Sequence, residues 1–392
     1  MAGLRPSLRV AGLLLLVVVI SGCASTASDS GVDRPVEVTQ AAPDGVEDGP
    51  SALDDPRDLR LPKPLIDPDQ LLSGGPPPDG IPAIDNPRFQ RARDVDWLAE
   101  NEAVLALKVG GESRAYPIQI LTWHEIVNDT VAGIPVAVTY CPLCNSGIAF
   151  DRRVGSRTLT FGTSGKLYAS NLVMYDRQTE SLWPQLTGQA SLGVLTGAIL
   201  DSFPLAPVAW RDFRADNPNA WTLSRSTGFD RDYGRNPYVG YDEADKPLFD
   251  APGEDPRLPA LERIVAIPGK QETIAVVRES VTRTGVRTIT IDRRSLVVWH
   301  RPGQASALER ADVSAGRDIG TVAVFEPVAG GRPLTFKPAG AGFVDAQTGS
   351  RWNILGRATG GPLTGNQLSA YPFIDTFWFT WIAFQPDTQL IR

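Results

Sequence analysis

Cysteine, histidine and methionine are scarce here: three, two and two in 392 residues. Soft-metal or thiol chemistry, if there is any, must therefore be confined to one place. Basic runs are absent as well. The 38 Lys and Arg against 45 Asp and Glu give a net charge of −7, without the clustered cations that nucleic acid requires, so nucleic acid is not an expected partner. Long apolar runs are missing apart from Leu13–Ile20, roughly half of the ~20 residues a spanning helix needs. There is no Gly-X-Ser-X-Gly elbow, and neither histidine has an evident serine partner, which disfavours a hydrolase triad.

What is present begins at the N-terminus. Arg5 and Arg9 precede Leu13–Ile20, and Ile20-Ser-Gly-Cys23 follows. Positive charge, a short apolar run and small residues before a cysteine form a secretory leader over residues 1–22 that resembles the bacterial lipobox. Cys23 is then the lipidated first residue of an extracytoplasmic protein whose partner is the lipid membrane. Residues 23–80, with Asp44-Gly-Val-Glu-Asp-Gly-Pro50 and Gly74-Gly-Pro-Pro-Pro-Asp-Gly80, are rich in Pro, Gly and Asp and read as a disordered tether.

Residues 81–392 carry enough apolar sequence for a large core. Compared with itself, this stretch shows a duplication. Phe150–Phe161 resembles Phe325–Phe336, Asp176–Trp183 resembles Asp345–Trp352, and Gly188–Gly197 resembles Gly356–Gly365 with one deletion. Phe203-Pro204 and Trp210 then match Tyr371-Pro372 and Trp378. Order and spacing are kept throughout, as repeats require. Most segments read as strands flanking Gly turns, at Gly155 and at Gly330-Gly331. Pro117–Val127 reads as a short helix with proline at its first position. The expected fold class is α+β and predominantly β: two duplicated β-rich halves, approximately 115–225 and 290–392, with hairpins and few short helices. Residues 214–260 look like a connector or inserted loop region.

The densest chemical signal is His124 followed by Val136-Ala-Val-Thr-Tyr-Cys141-Pro-Leu-Cys144. Two thiolates at this spacing on a tight turn can grip a copper or zinc ion, with His124, or a carboxylate such as Glu125, completing the shell. Equally, a Cys-X-X-Cys pair can cycle to a disulfide, or the two thiols can be structural. Asn145–Phe150 favours a turn and strand, so the motif does not open a helix as in thioredoxin-like proteins. His124-Glu125-Ile-Val-Asn128 lacks the second histidine of a zincin. Superposing Leu296–Trp299 on Val136–Tyr140 sets Trp299 opposite Tyr140, His300 opposite Cys141 and Gly303 at the Cys144 place. The segment Gly162–Asn171 and Met174–Arg177 could line a pocket through Lys166, Tyr168, Ser170, Asn171, Asp176 and Arg177. It lacks the phosphate-loop order, and a plain Gly-rich hairpin is the simpler reading.

Ala115-Tyr-Pro, Trp123–Asp129, Val138–Cys144, Leu167-Tyr168, Met174–Arg177, Ser181–Trp183, Gly303–Leu308, Gly349–Trp352, Phe377–Trp381 and Pro386–Thr388 are at hand. On these blocks the chain resembles the domain-of-unknown-function family 3179 of bacteria and archaea over residues 85–392. The resemblance implies membership without a mechanism. The family pattern often carries a histidine after the proline near the C-terminus, where this chain has Phe373.

Expression of the full chain in a bacterium tests the leader. The protein is expected in the membrane fraction and extractable by detergent, whereas Cys23→Ser is expected to release it. Equal partition of the two forms would remove the lipid anchor from consideration.

Overall fold

Strand-forming sequence dominates, and its layout explains the architecture. The computed structural model describes residues 34–35, 49–249, 251 and 255–392. The leader, Cys23 and the tether as far as residue 48, save the backbone of Arg34–Pro35, lie outside the described residues.

In the first half the order is β1 (Arg88–Arg91), β2 (Ala103–Val109), β3 (Glu112–Pro117), α1 (Ile118–His124), β4 (Ile126–Val131), β5 (Ile134–Cys141) and β6 (Ser146–Asp151). Then come β7 (Phe161–Tyr168), β8 (Asn171–Asp176), β9 (Leu182–Pro184), β10 (Leu205–Ala209), α2 (Trp210–Asp216) and β11 (Trp221–Leu223). The second half runs β12 (Arg263–Pro268), β13 (Thr273–Val277), α3 (Arg278–Thr284), β14 (Val286–Ile291), β15 (Arg294–Arg301) and β16 (Thr321–Glu326). It closes with β17 (Phe336–Ala339), β18 (Gly342–Asp345), β19 (Arg351–Trp352), β20 (Ile374–Phe377), α4 (Trp378–Phe384) and β21 (Gln389–Ile391).

The sheets are small and mostly antiparallel. β2 lies between β3 and β10, and β11 joins β3 in parallel. β12 likewise lies between β13 and β20, with β21 parallel to β13. A second sheet in each half holds β4-β5-β6 or β14-β15-β16, and a third holds β7-β8-β9 or β17-β18-β19. Strands β2, β5, β12, β13 and β16 are near-continuous apolar runs because both of their faces are covered. Along β5, Val136, Val138 and Tyr140 enter one core while Ala137 and Cys141 enter the next.

One local device occurs in both halves. The Asp176 carboxylate accepts from Thr179 N at 2.7 Å, Thr179 Oγ1 at 2.9 Å and Trp183 Nε1 at 2.9 Å. Asp345 accepts from Thr348 N at 2.6 Å, Thr348 Oγ1 at 2.9 Å and Trp352 Nε1 at 2.9 Å. Each box pins a tight turn and orients a fully buried indole. Gly188 and Gly356 both hold positive φ, 59° and 78°, and a Cβ there would strike the rings of Phe150 and Phe325.

Several expectations need correction. Residues 49–80 are not a free tether. Ala52 and Leu53 pack on Val173, Tyr175, Leu182 and Leu192, and Leu72–Ser73 pairs with Lys166–Leu167 of β7. Proline and glycine there set turns, and a few apolar residues between them are enough to anchor the segment. The helix expected over 117–127 is shorter: Pro117 ends β3, α1 spans Ile118–His124, and Glu125 leaves it in a left-handed conformation. Within 214–260, α2 and β11 occupy residues as far as 223, and the remainder is mostly turns.

Asp176→Ala strands three buried donors and should lower the unfolding free energy by about 2–4 kcal/mol in urea titration, with Asp345→Ala acting in the same direction. Unchanged midpoints for both would show that the boxes do not hold the fold.

Candidate thiol site

Beyond Cys141 the chain makes one 3₁₀ turn, Pro142–Cys144, and Asn145 reverses it at φ 52°, a conformation asparagine tolerates better than most residues. Tyr140 then pairs with Gly147 and Cys141 with Ser146 across β5 and β6. The turn brings both sulfurs together under cover. Cys141 is 1% and Cys144 0% exposed, both are free thiols, and the Cys141 thiol donates to Cys144 Sγ at 3.0 Å.

The β7–β8 hairpin closes over the pair. Its two turn residues, Ala169 and Ser170, are both left-handed at φ 52° and 57°, the geometry of a type I′ turn. As a thiol, Cys144 donates to Ser170 O at 3.4 Å. Asn171 Nδ2 donates to Cys144 Sγ at 3.3 Å and to Gln185 Oε1 at 3.1 Å, and Asn171 Oδ1 accepts from Leu186 N at 3.0 Å. This last bond fixes which way the amide points.

The C-terminal half supplies the floor. Thr376 Oγ1 donates to Cys144 O at 2.7 Å and Asn145 Nδ2 to Asp375 O at 3.2 Å. The Thr380 hydroxyl is buried without a hydrogen-bond partner among the described residues and lies near Cys144 Sγ. From residues 214–260, Tyr241 Oη donates to Leu143 O at 2.9 Å, and Ser170 Oγ donates to Phe249 O at 2.6 Å.

The two thiols are unlike. Burial pushes Cys141 well above the ordinary thiol value, and its hydrogen bond to Cys144 adds to this. Burial also opposes charge on Cys144, but donors from Cys141, Thr380 and Asn171 outweigh it and hold that thiol below its ordinary value. Such donors are what depress a thiol in proteins generally.

Glu125 follows α1 at φ 57°, ψ −30°, where α3 ends on Gly285 at φ 72°. A glutamate in that conformation is strained. The geometry turns its carboxyl into the interior, close enough to Cys141 and Cys144 for their charges to interact. Burial alone pushes its carboxyl up to about 8.

His124 sits next to Glu125 but is engaged elsewhere. Nδ1 lies 2.7 Å from Pro82 O, and Nε2 lies 2.6 Å from Tyr233 Oη. A carbonyl can only accept, so Nδ1 carries the proton and Nε2 accepts from Tyr233. Burial lowers the imidazole's proton affinity and keeps it neutral. The structure does not bring His124 into a ligand set with the sulfurs. Among the described residues no group of three or more His, Cys, Asp and Glu is placed to hold a metal ion.

Of the other expected residues, Ser170 and Asn171 join the thiols. Lys166 and Tyr168 lie farther along β7, the latter edge-on to Phe384 at 5.6 Å. Asp176 is the structural box. Arg177 pairs with Asp79 at 3.0 Å and Asp85 at 2.9 Å, tying down the segment before β1. His300 is opposite Tyr140 rather than Cys141, because Val286 pairs with Trp299 as Ile126 pairs with Thr139. The place of Cys141 is held by Arg301, ion-paired with Asp212. Phe373 is buried in the core of the second half. Thr376, Thr380, Tyr233 and Tyr241 were not anticipated, since nothing in their local sequence signals contacts with residues so distant in the chain.

A family model described as a protein of unknown function, DUF3179, matches residues 78–388. The chain belongs to the DUF3179 family. No curated protein and no solved structure matches it.

The raised Glu125 pKa fixes a sign. Between about 4.5 and 8 the folded DUF3179 chain retains a proton that the unfolded chain has released, so stability falls as pH rises through that window. Glu125→Gln should flatten the slope and stabilise the protein at pH 8 by on the order of 3 kcal/mol. Parallel stability–pH curves for wild type and variant would disprove the assignment.

Proposed function

We propose that this is a lipid-anchored, extracytoplasmic thiol–disulfide protein, built from a duplicated β-rich unit, in which Cys141 and Cys144 cycle between dithiol and disulfide. The observation that carries the reading is the buried contact of the two sulfurs at 3.0 Å, one donating to the other. Oxidation removes two protons and two electrons from the pair and forms the S–S bond. The electrons pass to a disulfide of a thiol compound, which is released as two thiols.

Metal capture is the weaker reading because both nitrogens of the expected third ligand, His124, are already taken. A purely structural pair leaves unexplained a strained, buried acid beside it. The duplication is supported by the recurring order of elements. Ile118–His124 and Arg278–Thr284, like Ile134–Cys141 and Arg294–Arg301, stand at one constant interval. The lipobox at Cys23 supports the location, an oxidising compartment in which such pairs operate.

The test is equilibration of the purified protein in graded mixtures of reduced and oxidised dithiothreitol, followed by alkylation and peptide mapping. Reversible loss of both free thiols at Cys141 and Cys144 is expected. A pair that stays reduced throughout, or tightly held copper or zinc that Cys141→Ser abolishes, would overturn the reading.

A further inference from the structure

Resting on that reading, we infer that the two sulfurs have separate tasks: Cys144 attacks, Cys141 resolves, and the Glu125 carboxylate takes up the proton of the resolving thiol. The polar neighbours are distributed accordingly. Cys144 Sγ receives Asn171 Nδ2 at 3.3 Å and the Cys141 thiol at 3.0 Å, so negative charge on that sulfur is solvated by fixed donors. Among the described residues no side-chain donor reaches Cys141, only the backbone of Leu172, so it remains a thiol and must lose its proton before it can attack.

Glu125 is the buried acid whose charge is felt at both sulfurs. β5 hydrogen-bonds back to the helix exit, with Tyr140 N donating to Glu125 O at 2.8 Å. That bond sets Glu125 next to the residue preceding Cys141. The Glu125 carboxyl is buried, burial raises its proton affinity, and among the described residues no hydrogen-bond donor holds it ionised. A left-handed glutamate where the second half has glycine is retained at a cost in backbone strain, as is usual at working sites. The resting acid is mostly protonated at neutral pH, so the exchange accelerates as Glu125 ionises.

With a disulfide RSSR the atoms balance as follows. The Cys144 thiolate attacks one sulfur, forming Cys144–S–S–R and expelling RS⁻. Cys141 passes its proton to Glu125, and its thiolate attacks the Cys144 sulfur. The protein disulfide forms, the second RS⁻ leaves, and the two protons given up by the pair end on the two RSH. Two electrons have moved from the cysteine pair to the reagent.

The pair is covered by Tyr241 and Phe249, so the probe must be small and apolar. 2,2′-Dithiodipyridine meets this need, and each expelled thione can be followed by its absorbance. Wild type should release two thiones in sequence, and an early acid quench should show the pyridyl adduct on Cys144. Cys141→Ser should release one thione and keep its adduct. Glu125→Gln should slow the second release relative to the first about 100-fold and abolish its rise with pH, while Glu125→Asp restores part of that rise. An early adduct on Cys141, or a second release indifferent to Glu125→Gln, overturns this division of labour and leaves the redox reading standing. A wild type that reacts yet never forms the Cys141–Cys144 disulfide overturns the redox reading itself.

Discussion

The site depends on the register of β5. A strand buried on both faces sends alternate side chains into different cores, so one residue of slip exchanges their surroundings. Val136, Val138 and Tyr140 face Tyr116 and Ile120. Cys141 faces the opposite way, among Met174, Trp183, Phe377 and Trp381. The cysteine turn is then held from three directions: by Asn171 on the β8 side, by Thr376 from β20, and by Tyr241 from the connecting segment. None of these partners would meet the cysteine turn if β5 were shifted by one position.

The same period of two explains where sequence comparison went astray. Aligning Trp299 with Tyr140 matches aromatic with aromatic and is the natural choice by eye. The strand pairing instead matches Trp299 with Thr139 and His300 with Tyr140. His300 thus belongs to the face that carries Tyr140, and the residue in the cysteine position is Arg301. Much else was legible. The similar Asp176–Trp183 and Asp345–Trp352 segments and the hairpin strands are local, and local chemistry shows in sequence, although Asp176 was expected to line a pocket and instead pins a turn. The predominance of β-structure was legible for the same reason. Contacts made across the chain were not: the Tyr233 hydroxyl that occupies His124 lies over a hundred residues away in sequence. Nor did composition reveal that residues 49–80 dock, since a handful of leucines among prolines carries too little periodicity to announce a partner.

The two halves differ where chemistry is concerned, and the differences are consistent with one another. The second half has glycine at the helix exit where the first has Glu125, and Arg301 in place of Cys141. The four-residue turn that holds Cys144 is there replaced by the long connection from residue 302 to 320. Glycine at that exit takes the positive φ without strain. Strain at Glu125 is therefore local to the half that holds thiols, which argues that strain and thiols serve one purpose.

The second half is nevertheless part of the site. Thr376 and Thr380, together with the aromatic residues Phe377, Trp378 and Trp381, form the floor beneath Cys144. Their counterparts in the first half, around β10 and α2, pack on a different core with Trp210 and Phe213. One half contributes the sulfurs and the other the surface on which they are set. Neither could reproduce the environment that makes Cys141 and Cys144 unlike. A low-dielectric enclosure with a few fixed donors is what separates the proton affinities of adjacent identical groups, and here residues of both halves build that enclosure.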